Sequence, residues 1–438
     1  MSATKLSYSL IDIPRSILEY ICSFIATIEL LTQCKTVNKQ INRASQSKLA
    51  WRNSNLDLKY DEYGSSLWKI PHLHHLRLKN ITINACIVFS NNLKDIPCLK
   101  SLDLSYNWIG DIGVVALSNH LNNIPCLTSL NLSHNHISDD GCVSLSKHLN
   151  DITSLTRLNL FHNRIGVQGC VALGHQLKYI PSLTDLHLFG NKIGDDGCVI
   201  LSNHLMDIPS LNALNLGCNN IGDVGCVALS KHLKYIPLLT TLVISMNNIE
   251  NNGCIAISVN LKYISSLNRL DLSYNNINHE ECAVLSKHLN DVPSLTELDL
   301  EINNIGDVGC ISLSNQLHNV PCLSTLNVSY NNIGDDGCVS LSNNFKNISS
   351  LTRLFCGNNN IRDKGCILLS NNLKDVPSLI ILDLEGNNIY DEGYVSLINH
   401  LNEIPLLNTL YLNENDIFQA YCKENNNSNL YIGESYKR

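Results

Sequence analysis

The nine residues Leu127-Thr128-Ser129-Leu130-Asn131-Leu132-Ser133-His134-Asn135 decide the fold, because the chain repeats their frame at a constant interval. Written L-x-x-L-x-L-x-x-N, the frame ends in asparagine every 28 residues, at Asn107, Asn135, Asn163, Asn191, Asn219, Asn247, Asn275, Asn303, Asn331, Asn359, Asn387 and Asn415. Length alone would suggest about three domains. A strict period overrides that prior, since stacked units share one continuous core and form one long solenoid, an architecture commonly used as a binding surface.

The frame widens to a full unit, L-x-x-L-x-L-x-x-N-x-I-G-D-x-G-C-x-x-L-S-x-x-L-x-x-I-P-x. Its first part alternates leucine with polar residues, the period of a half-buried strand. Its second part, near Gly141 to Leu149, spaces apolar residues at helical intervals. The glycine before each cysteine suits a tight helix entry, and a pair such as Ile124-Pro125 ends the helix because proline cannot continue it. Nine of the 18 cysteines recur at one position: Cys142, Cys170, Cys198, Cys226, Cys254, Cys282, Cys310, Cys338 and Cys366. Leucines follow three and seven residues on, and seven helical residues turn through about 700°, so all three side chains face inward. The cysteines therefore read as small core hydrophobes. Met1 to Leu10 shows no secretory leader pattern, which favours reduced thiols and a cytoplasmic or nuclear location.

These repeats resemble the ribonuclease-inhibitor class of leucine-rich repeats over about Leu73 to Ile417, some thirteen units. The resemblance implies an α/β horseshoe with a parallel sheet on its concave side and helices outside. It also implies asparagines turned inward to bond loop backbone groups. The first unit, Leu73, Leu76, Leu78, carries Ile81 in place of asparagine, as a capping unit would. The expected organisation is a helical segment at 8–54, a linker or N-terminal cap at 55–72, the solenoid at 73–418 and a loose polar tail at 419–438.

Variation between units of one chain shows which positions the frame leaves free. The central strand leucine is constant from Leu102 to Leu410. Its outward neighbours differ, and the helices stay more uniform, so recognition is expected on the concave face. Arg157, Phe161, His162, His187 and Phe189 make an aromatic and basic group over adjacent strands. Glu297, Asp299 and Glu301 place three acids on one strand face, Arg269 stands one repeat earlier, and Arg353 with Phe355 forms a smaller group. Aromatic residues and arginine are frequent interface anchors; the alternative is repeat drift on a solvated face.

The composition and motifs also exclude. A net charge of −8 argues against a non-specific nucleic-acid binder, and no apolar run is long enough to span a membrane. Cysteine and histidine recur as Cys142/His148 and Cys226/His232, but six helical residues leave two side chains about 120° apart, so they cannot share an ion within one helix. Nucleophilic triads, phosphate-binding loops and zinc-hydrolase motifs do not occur. Neither a catalytic role nor a cofactor is expected.

Residues 10–52 do not follow the repeat. Pro14 suits a helix start, and Ile17, Leu18, Ile21, Phe24 and Ile25 make an apolar stripe at helical spacing. Two further short helices are expected, from Glu29 and towards Trp51, and three such helices bury little among themselves. Ile13-Pro14, Ser23-Phe24-Ile25, Glu29-Leu30-Leu31, Val37-Asn38-Lys39 and Leu49-Ala50-Trp51-Arg52 resemble, in order and spacing, the F-box. Ile13 stands where that family opens with leucine, Ile41 where tryptophan is common, and Ala50 is inserted in the closing motif. The resemblance implies a substrate-recognition subunit of an SCF-type (cullin-RING) ubiquitin ligase. Ile13, Pro14, Ile17, Leu18, Ile21, Phe24, Leu30, Leu31 and Val37 would then dock on a Skp-type adaptor, and the repeats would hold a target protein. Two alternatives stay open. One is an interaction scaffold with residues 10–52 as its cap. The other is an activator of a small GTPase, a family of the same repeat class with an arginine near its first repeats and an acidic tail; Arg77 is available here, but the tail is not acidic.

Overall fold

The computed structural model describes residues 55–59, 73–413 and 431–433, the first and last as backbone only. The F-box-like residues Ile13, Pro14, Ile17, Leu18, Ile21, Phe24, Leu30, Leu31 and Val37 lie outside the described residues, as does Asn415. The chain divides into two compact units, Met1–Ile165 with Gln176–Leu183, and Gly166–His175 with Thr184–Arg438.

Among the described residues, the first unit holds the strands β1 (Asn55–Lys59), β2 (His75–Lys79), β3 (Ser101–Asp103), β4 (Ser129–Asn131) and β5 (Arg157–Asn159). They pair in parallel and in register, Leu76 beside Leu102, Leu130 and Leu158. The second unit carries β6 (Asp185–His187), β7 (Ala213–Asn215), β8 (Thr241–Val243), β9 (Arg269–Asp271), β10 (Glu297–Asp299), β11 (Thr325–Asn327), β12 (Arg353–Phe355), β13 (Ile381–Asp383), β14 (Thr409–Tyr411) and β15 (Tyr431–Gly433). These too run parallel, with the central leucines aligned from Leu186↔Leu214 to Leu382↔Leu410. Short helices such as Asp139–Lys147 and Asp335–Asn343 follow the strands, most of them ending in a 3-10 turn such as Leu149–Asp151. Each unit is thus the α/β solenoid that the repeat implies. Its core is the leucine rows, the buried cysteines and the isoleucines before the prolines.

Both ends carry a strand. Asn55–Lys59, expected as linker or cap, is a strand paired residue for residue with β2. Tyr431–Gly433, expected as loose tail, is a strand paired with β14. The physical reason is common to both: an edge strand presents unpaired backbone groups, and an added strand satisfies them.

The asparagine row forms the expected ladder. Asn135 Oδ1 accepts from Asn107 N at 3.2 Å and Ile109 N at 3.3 Å, while its Nδ2 donates to Leu104 O at 2.8 Å. Asn331 repeats the pattern, donating to Leu300 O at 2.8 Å. The described members of the row stay 0–8% exposed, and members such as Asn135 and Asn331 satisfy buried backbone groups in the neighbouring repeat, a necessity where water is excluded.

A second ladder is built from aspartate. The aspartate of the I-G-D segment accepts backbone N–H groups at the start of the helix in the following repeat. Asp307 Oδ1 accepts from Gly334 N at 2.7 Å and Gly337 N at 2.8 Å. Asp335 does the same for Arg362 and Gly365, Asp363 for Tyr390 and Gly393, Asp195 for Gly222 and Gly225, and Asp111 for Ser138 and Gly141. An acid at a helix N-terminus satisfies orphan donors and complements the helix dipole. It also explains the glycine before the cysteine wherever such an aspartate precedes it: a Cβ on Gly337 would stand 2.7 Å from Asp307 Oδ1. Where the acid is missing the loop is rebuilt. Asn251 replaces it in one repeat, and the next carries Glu281 in place of the glycine. Glu281, 2% exposed, accepts from Asn278 N at 3.0 Å and completes a capping box.

Candidate functional site

The variable side chains stand on the sheet face turned away from the helices. In the second unit Arg269 is pinned between two acids, donating to Glu297 Oε2 at 3.1 Å and Asp271 Oδ2 at 3.4 Å. Asp299 lies beside Asp271 across the β9–β10 pair. Glu301 accepts from Asn327 Nδ2 at 3.3 Å. Further along the same row Asp383 follows Phe355, and Arg353 on the same strand as Phe355 is exposed. The acids Glu297, Asp299 and Glu301 are therefore part of a longer acidic face that includes Asp271, Asp383 and Glu385.

Part of this row serves the frame. Asp299 Oδ1 accepts from Glu301 N at 3.0 Å, Asp271 from Ser273 N at 3.2 Å and Asp383 from Glu385 N at 3.0 Å, a turn in which a side chain bonds the backbone two residues on. Asn131, Asn159, Asn215 and Asn327 perform the same bond at the same position. An amide suffices for the turn, so the negative charge at Asp271, Asp299 and Asp383 is surplus to it. At Asp299 and Asp383 that charge is also held at a cost. Burial, then the neighbouring Asp271 and later Glu301, push the Asp299 carboxyl up to about 7. Burial, then Glu385 and Glu301, push Asp383 up to about 7. Like charges crowded in a poorly hydrated site resist ionisation.

In the first unit, Arg157 and His162 are exposed and Phe161 is half-buried. Phe161 and His162 meet edge to face at 4.5 Å between ring centroids and belong to a larger aromatic group. His134 stacks on Tyr106 at 4.0 Å and on His162 at 4.6 Å, and Phe161 stands 5.1 Å from His134. Trp108 meets His136 edge-on at 4.7 Å. Tyr106 is 61% and Trp108 70% exposed, which makes them the outer members of an apolar rim. The ring of His134 carries an Nε2 with no partner, and burial first, then His162 and His136, lower its pKa. Tyr106, Trp108, His134, His136 and His162 all have φ between 50° and 59°, the left-handed turn that the repeat also imposes at Cys218, Met246, Tyr274, Ile302 and Tyr330. Reading strand positions misses all of these except His162, because they lie in the loop just beyond the strand; the available signal is four aromatic rings at these two loop positions in consecutive repeats, where elsewhere only Tyr274 and Tyr330 recur singly.

His187 and Phe189 lie in the second unit, both half-buried. Phe189 covers Gly217, where a Cβ would come within 2.5 Å of the ring. Arg77 is held by Asp103, Nε to Oδ2 at 3.2 Å. Among the described residues no group of three or more histidine, cysteine, aspartate or glutamate side chains is arranged to hold a metal ion, and no helix is long and apolar enough to cross a membrane.

A parallel sheet whose outer face varies over an invariant frame defines a repeat scaffold that presents a surface to a protein partner. A family model described as "Leucine Rich repeat" matches residues 96–118, 123–146, 151–174, 179–202, 208–230, 235–258, 263–280, 293–314, 321–342 and 377–397, together just over half of the chain. The protein belongs to the leucine-rich repeat family. Among solved structures it is similar to an internalin from Listeria monocytogenes, at 22% identity and a TM-score of 0.51, over 81% of this chain and 94% of that one. A leucine-rich repeat protein of Leptospira interrogans matches at 17% identity and a TM-score of 0.49, over 90% of this chain and 97% of that one. No curated protein matches the chain.

Proposed function

We propose that this protein is the target-binding subunit of an SCF-type ubiquitin ligase. Its repeats hold a protein target, and its F-box-like segment docks on a Skp-type adaptor and, through it, the cullin complex. The observation that carries target binding is the acidic face: Asp299 and Asp383 carry a carboxyl, and Asp271 one that Arg269 pairs, where asparagine does the same structural work in four other repeats. A face of that character suits a positively charged segment of the target, and complementary charge gives both selectivity and rapid association. The adaptor reading rests on the ordered motifs from Ile13-Pro14 to Trp51-Arg52. The chain itself does no covalent chemistry; its contribution is to bring target and transfer machinery together.

The double variant Pro14→Ala with Leu18→Ala tests the docking. Adaptor and cullin should vanish from affinity purifications while the melting of the repeats stays unchanged. Undiminished adaptor recovery would overturn the docking. One observation favours the plainer scaffold, with residues 10–52 as a cap: the chain immediately after them, Asn55–Lys59, joins the sheet. A truncated chain that begins after residue 54 separates the readings, since a cap is needed for stability and a docking module is not.

A further inference from the structure

Cys86, Cys218 and Cys356 apart, the cysteines among the described residues fall into two groups that differ in exposure. The repeat row from Cys142 to Cys366 is buried, and burial pushes the thiols of Cys142, Cys198, Cys254 and Cys282 up to about 12. Thiols of that kind are inert packing. Cys126 and Cys322 are instead exposed, and Cys98 is half-buried. These three share one repeat position, directly after a proline, as Pro97-Cys98-Leu99, Pro125-Cys126-Leu127 and Pro321-Cys322-Leu323. Cys98 and Cys126 stand in consecutive repeats of the first unit. Cys322 has serines at that position on both sides, Ser294 and Ser350.

The geometry of the turn brings consecutive positions together. Two residues beyond the cysteines, Thr128 N donates to Lys100 O at 2.7 Å and Thr128 Oγ1 to the same oxygen at 3.0 Å. The two turns therefore run backbone to backbone, at about the 4.8 Å spacing of paired strands. In the equivalent turn of the second unit, Ser350 Oγ lies 2.7 Å from Pro321 O and 3.0 Å from Leu323 O, the carbonyls on either side of Cys322. A side chain at this position reaches back over the residue that precedes it by one repeat. In the first unit the reaching side chain is that of Cys126, and the residue beneath it is Cys98. Neighbouring backbones at sheet spacing fall within the Cα separation of roughly 4.4–6.8 Å that a disulfide spans.

We infer that Cys98 and Cys126 are a surface dithiol that low-molecular-weight disulfides convert into a disulfide, stapling the turn before β3 to the turn before β4. The exposed Cys126 thiolate attacks one sulfur of the small disulfide, forming a mixed disulfide and expelling one thiolate. The Cys98 thiolate then attacks the Cys126 sulfur and expels the second. Two protein thiols are oxidised, one small disulfide is reduced to two thiols, and the two protons end on the leaving groups. Cys322, with serine neighbours, stops at the mixed disulfide and serves as an internal control.

The test treats the full-length protein with oxidised glutathione, blocks residual thiols, and maps non-reduced peptides by mass spectrometry. The expected result is a cross-linked peptide joining Cys98 to Cys126, with glutathione retained on Cys322. Cys98→Ser should leave glutathione on Cys126 in place of the cross-link. Glutathione on both Cys98 and Cys126 without a cross-link, or reaction at Cys322 with those two untouched, would overturn the inference.

Discussion

Two helix starts in the second unit use the same glycine in opposite ways. Gly334 is extended, with φ −98° and ψ −160°, and its N–H is held by Asp307. Gly306 occupies the same place one repeat earlier but is left-handed, with φ +60°, and its N–H goes to Asn331 O. The residue corresponding to Asp307 is His279. The pattern holds elsewhere: Gly222 follows Asp195 and is extended, whereas Gly194 follows Val167 and is left-handed at φ +61°. Within the first unit Gly110 follows Ile83 and is left-handed at φ +57°. An aspartate one repeat away thus selects the backbone conformation of a loop. The second lesson comes from comparing Asp307 with Asp299. The first spends its charge on two N–H groups at the start of a helix, and the second is pushed towards its neutral form by burial and by other acids.

The comparison can be broken in four places. Asp335→Ala should have the largest effect, about 2–3 kcal/mol by chemical denaturation, because Arg362 N and Gly365 N lose their acceptor and Arg362 has no easy left-handed alternative. Asp307→Ala should cost less, since Gly334 can turn over as Gly306 does. Gly306→Ala should cost about 1–2 kcal/mol, the strain of a left-handed alanine. Gly222→Ala should stay within about 0.5 kcal/mol of wild type, because Gly222 is extended and its counterparts include Ser138 and Arg362. Equal losses from Gly306→Ala and Gly222→Ala would contradict the rule.

Asp299→Asn sharpens the other half. Its folded pKa of about 7 lies above the ordinary 3.8, so the native state binds the proton more tightly than the unfolded chain. The stabilisation from that proton is complete below pH 4 and is lost as pH rises through 7. The asparagine variant escapes this loss. It should be more stable than wild type by on the order of 1 kcal/mol at pH 8, with the advantage vanishing towards pH 4. A constant offset across that range would mean the carboxyl is not held up.

Much of the frame is legible in the sequence, because leucine, asparagine and cysteine rows report burial directly. Leu130, Asn135 and Cys142 can be assigned to the core from spacing alone. The aspartate ladder is not legible, since Asp307 acts on residues 27 and 30 positions later and nothing in the local pattern names its partner. Reading Asp299 as purely a recognition residue overlooks its turn-forming bond, which only the comparison with Asn131 and Asn327 at the same register exposes. Asn55–Lys59 keeps the alternation of the frame, with Leu56 and Leu58 paired to Leu76 and Leu78, but lacks the rest of the unit that makes a repeat recognisable, and Tyr431–Gly433 is too short to show a period. Tyr106, Trp108, His134 and His136 escape it because the strand pattern stops two residues short of the rim.

The central claim is that the acidic sheet face is kept for a partner at some expense to the fold. The most direct measurement purifies the Asp299→Asn, Asp383→Asn double variant beside wild type from the same cells, with quantitative mass spectrometry of bound proteins and a melting curve of each at about pH 7.5, above both raised carboxyl pKa values. The account predicts a melting temperature at or above that of wild type together with loss of a partner that wild type retains. A variant that recovers the same partners in the same amounts, or that melts lower, would contradict it.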